Sequence, residues 1–130
     1  MDLREFLAWV EREDRLTVIG SAVNPDLEMA RIIHALEGQS VLFADPRCPG
    51  WRVVSGVCAR REYFAWALGT DVIGIVPRLV EALNHPLEPP LISAAPCQEI
   101  VDPSLSLTDL PLLKHLNRDG GPYITAGVSV

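Results

Sequence analysis

The residues that most constrain the fold are the last ones, because they form a strand pattern with no neighbour in the sequence before them. A polar turn through Gly120, Gly121 and Pro122 leads into an apolar run at 123–130. A β-strand needs a hydrogen-bonded neighbour on at least one side. The pattern therefore predicts a closing strand whose partners lie on other polypeptide, and we expect the chain to be the front part of something larger.

Composition and charge limit the classes of partner. Hydrophobic residues make up 48% of the 130 residues, which is high for a chain of this size and predicts apolar surface left over for a partner. The net charge is −6, and the sequence has no basic run. A nucleic-acid backbone would be repelled, so we expect no nucleic-acid partner.

The N-terminus and the cysteines indicate the compartment. Asp2 and Glu5 occupy positions where a signal peptide carries basic residues, and no apolar run approaches the roughly 20 residues that span a bilayer. The three cysteines, Cys48, Cys58 and Cys97, form no even disulfide set and no C-x-x-C pair. The sequence predicts reduced thiols, no membrane span and a cytoplasmic location.

The first half of the chain shows two helix starts and a hairpin. Asp2 and Glu5 have the spacing of a capping box, and a short β-branched strand is predicted at 16–19. Asn24 and Pro25 predict a second helix that runs to about Glu37, with Gly38 as a left-handed cap. Two further runs, 41–44 and 51–56, flank a Pro-Gly turn and predict an antiparallel hairpin.

The second half alternates helical and extended patterns. A helix is predicted at 60–68 with Gly69 as its cap, and another within 73–83 that begins near Pro77. Prolines between 86 and 96 predict an extended tether. Beyond it the pattern predicts a strand at 97–101, one or two helical turns at 106–113 and the closing strand at 123–130.

The order of these segments resembles the N-terminal portion of UbiD-type decarboxylases, a family that includes 3-octaprenyl-4-hydroxybenzoate carboxy-lyase. The likeness extends over the whole chain in register. It is carried by the opening Asp-Leu-Arg-Glu-Phe-Leu, Val-Asn-Pro-Asp-Leu-Glu from Val23, Val-Leu-Phe from Val41, Ala-Pro-Cys-Gln-Glu from Ala95, Asp-Leu-Pro from Asp109, and Gly-Gly-Pro-Tyr-Ile-Thr from Gly120.

The resemblance implies a fold and a division of the chain. It implies an α+β architecture, with helices packed on a small mixed or antiparallel sheet. Residues 1–94 would form the N-terminal α/β domain. Residues 95–130 would form a tether and a last strand leading into a split-barrel-like flavin domain on further polypeptide.

The resemblance also implies the chemistry of the complete enzyme. UbiD-like enzymes use prenylated FMN with Mn²⁺ and K⁺ to decarboxylate aromatic or α,β-unsaturated acids reversibly, and the cofactor carries the difficult step. The family's catalytic Glu-Arg-Glu network and metal ligands follow the segment present here. We therefore expect no catalytic or metal-binding residue and no bound cofactor in this chain alone, which would be inactive without a catalytic UbiD-like polypeptide or downstream domain.

One residue is a candidate for contact with the cofactor. In the family, the strand that contains Thr125 leads directly towards the flavin, so Thr125 is the predicted cofactor-binding residue. The alternative is a purely structural strand residue. For the function as a whole, the alternative is a non-catalytic interaction module that binds another protein by adding its exposed strand to the partner's sheet.

Other residues that suggest chemistry have structural explanations. The histidines, His34, His85 and His115, lack carboxylates at metal-ligand spacing, which argues against a shared metal site. Cys97 has no cationic neighbour in sequence to activate it. Arg60 and Arg61 are candidates for an anion site, and the alternative is a solvated first turn of a helix. The aromatic residues are candidates for stacking on a flat ligand, and the alternative is packing in a core or an interface. Those aromatic residues are Trp9, Trp51, Tyr63, Phe64 and Trp66.

Overall fold

A computed structural model describes residues 2–124 of the chain. These residues form an α+β fold of four helices on a small sheet. The helices are α1 (Leu3–Arg12), α2 (Glu28–Ala35), α3 (Arg61–Leu68) and α4 (Ile75–Asn84), the strands are β1 (Leu16–Ala22), β2 (Ser40–Asp45) and β3 (Val53–Ser55), and two short 3₁₀ turns follow at Pro96–Gln98 and Leu107–Asp109.

The sheet is mixed and has the order β1-β2-β3. Strand β1 pairs with β2 in parallel, with Val18 opposite Leu42, and α2 provides the crossover between them. Strands β2 and β3 form the predicted antiparallel hairpin, in which Leu42 faces Val54. Strand β2 therefore pairs with both of the other strands and lies at the centre of the sheet, and its residues are the most deeply buried of the sheet.

The core consists of two apolar clusters. One lies between α2 and the sheet and centres on Met29 and Phe43, both fully buried. The other holds α1 against α3 through Phe6, Val10 and Tyr63. Aromatic rings dominate this second cluster: Trp9 and Trp66 stack with ring centroids 4.4 Å apart, and Phe6 meets Tyr63 edge-on at 5.3 Å.

Several predicted elements are confirmed where local chemistry determines them. The Asp2 carboxylate accepts from the Glu5 backbone N–H at 2.9 Å, while the Glu5 carboxylate accepts from the Asp2 N–H at 2.9 Å. This capping box begins α1 as expected. Gly69 ends α3 in the left-handed region, with φ of 64°, and Pro77 lies in the first turn of α4.

The predicted start of the second helix is wrong by three residues. Instead of capping a helix, Asn24 forms a turn in which its side-chain oxygen accepts from the Asp26 N–H at 2.9 Å. The Asn24 N–H donates to the Glu28 carboxylate at 2.7 Å, and Leu27 takes a positive φ of 66° before α2 begins. The helix starts late because Asp26 is paired with a distant residue, Lys114.

The strand predicted at 97–101 is also wrong. Residues Pro96–Gln98 form a 3₁₀ turn, and residues 99–101 take no regular structure. The segment lies on the surface and pairs with none of the strands in the described part of the chain, so its backbone groups have no neighbouring strand there to bond with. Tyr123 and Ile124 are not in a strand either, and the rest of the predicted closing strand, 125–130, lies outside the described residues.

The linking region after α4 is exposed. Residues 86–95 have no regular structure, as expected for a proline-rich tether, and the side chains of Leu87 and Leu91 are in solvent. None of the helices described within residues 2–124 is long and apolar enough to cross a membrane.

Candidate functional site

The end of the described chain returns to the N-terminal fold and docks beside the α2 entry turn. The Leu27 N–H donates to the Lys114 carbonyl at 3.1 Å, and the Lys114 N–H donates to the Pro25 carbonyl at 3.2 Å. Leu113 packs against the cluster around Met29. Two backbone hydrogen bonds and one apolar contact thus fix the position of residues 113–114 relative to the sheet.

A second attachment holds the same segment a few residues earlier. The 3₁₀ turn Leu107–Asp109 has its own capping box, in which the Ser106 N–H donates to the Asp109 carboxylate at 2.8 Å. The Cys48 thiol, on the loop after β2, donates to the Asp109 carbonyl at 3.1 Å. Cys48 is half-buried there, whereas Cys58 and Cys97 are exposed, and all three thiols are unpaired.

Asp119 organises the turn that follows Lys114. Its carboxylate accepts the backbone N–H of Leu116 at 2.7 Å and that of His115 at 3.2 Å. These donors, with Leu116 first and a hydrogen bond from the Tyr123 side chain adding to them, lower the pKa of Asp119 from its usual 3.8. The turn therefore holds a carboxylate in its charged form.

Tyr123 closes this unit. Its phenol donates to the Asp119 carboxylate, which raises the pKa of Tyr123 above 10.0. The Tyr123 N–H donates to the Leu113 carbonyl at 3.3 Å, and its ring lies 6.1 Å from the His115 imidazole at an interplanar angle of 25°. The backbone bond, the side-chain bond and the ring contact together hold Tyr123 against Leu113, Asp119 and His115.

An open, mainly apolar cleft of about 310 Å³ lies between this segment and the sheet. Trp51, Val53 and Ile33 form one wall; Leu112, Tyr123 and Ile124 belong to the other. The described lining residues include no carboxylate, amine, guanidinium or thiol, and His115 is the one histidine among them. The cleft can hold an apolar or aromatic group, and its described walls lack a carboxylate to act as a general base.

The residues predicted from sequence are dispersed over the fold. Thr125 lies outside the described residues; its neighbour Ile124 lines the cleft. Only His115 of the three histidines reaches the cleft, and residues 2–124 contain no group of three potential metal ligands. Arg60 donates a hydrogen bond to the Gly38 carbonyl at 2.6 Å, which gives its guanidinium a structural role in the fold.

The aromatic candidates divide between core and cleft. Trp9, Tyr63 and Trp66 pack together with Phe6, so core packing is confirmed for them. Trp51 instead lies half in solvent on the cleft wall. Sequence reasoning did not identify the Asp119, His115 and Tyr123 unit; the available signal was an acidic residue directly before a Gly-Gly-Pro turn that an aromatic residue ends.

Comparisons with known proteins cover nearly the whole chain. The family model for the 3-octaprenyl-4-hydroxybenzoate carboxy-lyase N-terminal domain matches residues 7–83, and the model for the Rift-related domain of the same carboxy-lyase matches residues 91–130. Anhydromevalonate phosphate decarboxylase of Methanothermobacter thermautotrophicus is 34% identical over 126 residues, which are 97% of this chain and 29% of that protein.

Solved structures share the fold. The UbiD-class enzyme HmfF from Pelotomaculum thermopropionicum, in complex with FMN, matches with a TM-score of 0.88 and 33% identity over 95% of this chain and 29% of HmfF. An evolved dimeric form of HmfF, in complex with prFMN, matches with the same TM-score and identity, over 95% of this chain and 30% of its own. The apo 3,4-dihydroxybenzoic acid decarboxylase from Enterobacter cloacae matches with a TM-score of 0.82 and 27% identity, over 93% and 29% of the two chains. This chain therefore spans less than a third of the relatives it matches.

Proposed function

Since the chain belongs to the UbiD family of 3-octaprenyl-4-hydroxybenzoate carboxy-lyases, we propose that it is the N-terminal part, or a small subunit, of a decarboxylase that uses prenylated FMN. The proposed substrates are aromatic or α,β-unsaturated carboxylic acids, and the proposed reaction is reversible. The observation that carries the proposal is the common fold with HmfF, a UbiD-class enzyme solved with FMN and with prFMN, at 33% identity.

The role of this chain in such an enzyme is to build and orient the entry to the flavin-binding part. Residues 1–94 form the N-terminal domain in this proposal, and residues 95–130 connect it to the flavin domain. The Tyr123 attachment to Asp119 and Leu113 supports this role, because it fixes where the chain leaves the cleft. Thr125, two residues further on, is the proposed flavin contact.

The cofactor set of the complete enzyme is proposed as prenylated FMN with Mn²⁺ and K⁺. Prenylated FMN supplies the electron sink for loss of carbon dioxide when it is bound. The described cleft residues supply apolar walls and shape, which suit the exclusion of water from an aromatic acid. A divalent ion prefers oxygen ligands, and we assign those ligands to the rest of the enzyme. The proposed location is the cytoplasm, which three unpaired thiols favour.

We propose that the 130-residue chain is inactive by itself. Acid decarboxylation on a flavin needs positioned acid–base groups, and the described lining of the cleft offers only the His115 imidazole and the Tyr123 phenol, with no carboxylate. The partner that restores activity is a catalytic UbiD-like polypeptide, either fused or separate.

The test replaces the matching segment of HmfF with this chain and loads the chimera with prenylated FMN and Mn²⁺. We expect flavin absorbance to remain with the protein after gel filtration and carbon dioxide to be released from a panel of aromatic and α,β-unsaturated acids. The matched control is the isolated chain with the same cofactors, which should retain no flavin and release no carbon dioxide. A loaded chimera that is silent towards every acid, or an isolated chain that turns over alone, would overturn the proposal.

A non-catalytic interaction module is the second candidate. Strands β1 and β3 are the edges of the described sheet, and β1 has seven residues and an exposed Val18. An open edge of that length can accept a strand from another protein. If a partner still binds after proline replaces Val18 in the middle of β1, the β1 edge is not its binding site.

A further inference from the structure

Helix α4 carries an apolar face that no described residue covers. Ile75 at the start of the helix is buried, but the side chains at the following apolar positions are exposed. Their exposed fractions are 57% for Val76, 47% for Leu79, 50% for Val80 and 80% for Leu83. We call these four residues the α4 stripe.

The spacing of the stripe is that of a helix-docking surface. The positions follow the i, i+3, i+4, i+7 pattern, which at 3.6 residues per turn places all four within a sector about 100° wide. The charged pair of the helix lies on the opposite side, where Arg78 donates to the Glu81 carboxylate at 2.9 Å. The stripe is therefore continuous, apolar and free of charge, so it suits an apolar partner and not a phosphate-rich one.

The occupant follows from what comes next along the chain. Residue 91, where the match to the Rift-related domain begins, is seven residues after Asn84, the end of α4. Seven extended residues reach at most about 25 Å, so that domain starts close to the stripe. The exposed side chains of Leu87, Leu91 and Ile92 continue the apolar surface along this connection.

Relatives with the same fold contain additional polypeptide that can cover such a stripe. HmfF shares this fold over 29% of its length, so more than two thirds of its polypeptide lies outside the matched region. We propose that the α4 stripe is the surface on which the flavin-binding part of a UbiD-type enzyme docks against this N-terminal unit. This inference rests on the proposed function and adds to it the helix that joins the two parts.

The first test measures whether the stripe is covered. Carbene labelling of Leu83 is compared between the isolated chain and the HmfF chimera described above, purified with FMN bound. If Leu83 changes from 80% exposure to the 0–8% exposure of this chain's core residues, its labelling should fall about tenfold or more. Equal labelling of Leu83 in both proteins would overturn the proposal.

The second test uses two neighbouring substitutions that add the same charge. Leu83→Asp removes a stripe residue, and Asn84→Asp changes the adjacent position, about 100° around the helix and outside the stripe. Neither should alter the thermal midpoint of the isolated chain, since Leu83 is mostly exposed there. In the chimera, Leu83→Asp should lower the midpoint by about 2–4 °C and Asn84→Asp should not.

The remaining outcomes separate docking from function. A chimera with a protected Leu83 that holds FMN but releases no carbon dioxide supports docking and contradicts the proposed activity. An isolated chain that dimerises, and whose dimer Leu83→Asp dissociates, assigns the stripe to a second copy and overturns the proposal. If the chimera fails to fold under conditions in which HmfF folds, the docking proposal is also contradicted, because the rest of HmfF would then offer no surface that matches the α4 stripe.

Discussion

The contact between Gly56 and the start of β2 provides the sharpest stability prediction. Gly56 follows β3 with φ of 77°, and its backbone lies directly against Gln39 and Ser40. A Cβ atom at this position would overlap the Gln39 carbonyl oxygen and lie 2.9 Å from its carbonyl carbon, and both atoms are backbone. A backbone neighbour cannot rotate away as a side chain can, so Gly56→Ala must displace one end of the sheet.

The matched control is Gly50→Ala in the turn between β2 and β3. Gly50 has a similar φ of 84°, but a Cβ there would meet nothing within 4 Å. The left-handed backbone costs alanine about 1–2 kcal/mol at either position, and alanine stiffens the unfolded chain equally in both variants. Gly56→Ala adds the overpacking cost, about 1–3 kcal/mol, so the two variants should differ by about 2 kcal/mol.

Urea unfolding followed by tryptophan fluorescence measures this difference. With a slope of about 1–3 kcal/mol per M, the midpoint of Gly56→Ala should lie roughly 1 M below that of Gly50→Ala. The comparison requires that the unfolding free energy of both variants falls with urea concentration at the same slope. If the two midpoints agree within the error of the fits, then the Gln39 carbonyl does not pack against Gly56 and the reasoning fails.

Four further results are expected. Asp119→Asn should return the raised pKa of Tyr123 towards 10.0, measured by absorbance at 295 nm in a Tyr63→Phe background, and an unchanged midpoint would disprove the Asp119–Tyr123 hydrogen bond. Because the pKa of Asp119 is lowered in the fold, its contribution is present above pH 3.8 and is lost as the pH falls further. The protection of the 115–119 turn amides, relative to their intrinsic exchange rates at the same pH, should therefore fall only in that acidic range. A double-mutant cycle of Trp9→Leu and Trp66→Leu should give a coupling of about 1 kcal/mol from the stacked rings, and simple additivity would contradict it. A disulfide reagent should modify Cys58 and Cys97 quickly and Cys48 slowly, and Cys48→Ser should leave two fast thiols and no slow one.

The elements that the sequence predicted correctly are those whose signals lie within a few residues. The capping box of α1 joins positions three apart, and the Gly69 cap of α3 depends on one residue's freedom to take a positive φ. The hairpin of β2 and β3 likewise follows from a turn between two apolar runs. In each case the hydrogen-bond partners are close in the chain, so local pattern and final structure agree.

The errors occur where a distant residue decides the outcome. Asn24 and Pro25 have the chemistry of a helix start, yet the bonds between Pro25, Leu27 and Lys114 hold this segment in a turn and delay α2 to Glu28. The predicted strand at 97–101 fails for the opposite reason, because no segment within residues 2–124 pairs with it. β-propensity describes how well a side chain fits a sheet surface and supplies no neighbouring strand.

The same distinction explains why the candidate site was only partly predictable. The cleft is made by residues far apart in sequence, with Ile33 and Trp51 on one wall and Tyr123 on the other. What could be read locally was the Asp-Gly-Gly-Pro turn, in which Asp119 accepts two backbone N–H groups and binds the phenol of Tyr123. Asp is common in turns because its carboxylate accepts nearby backbone N–H groups, so the local pattern predicts the turn. It does not predict where the turn lies, because Leu113 and Lys114 dock against Pro25, Leu27 and Met29, which are far away in sequence.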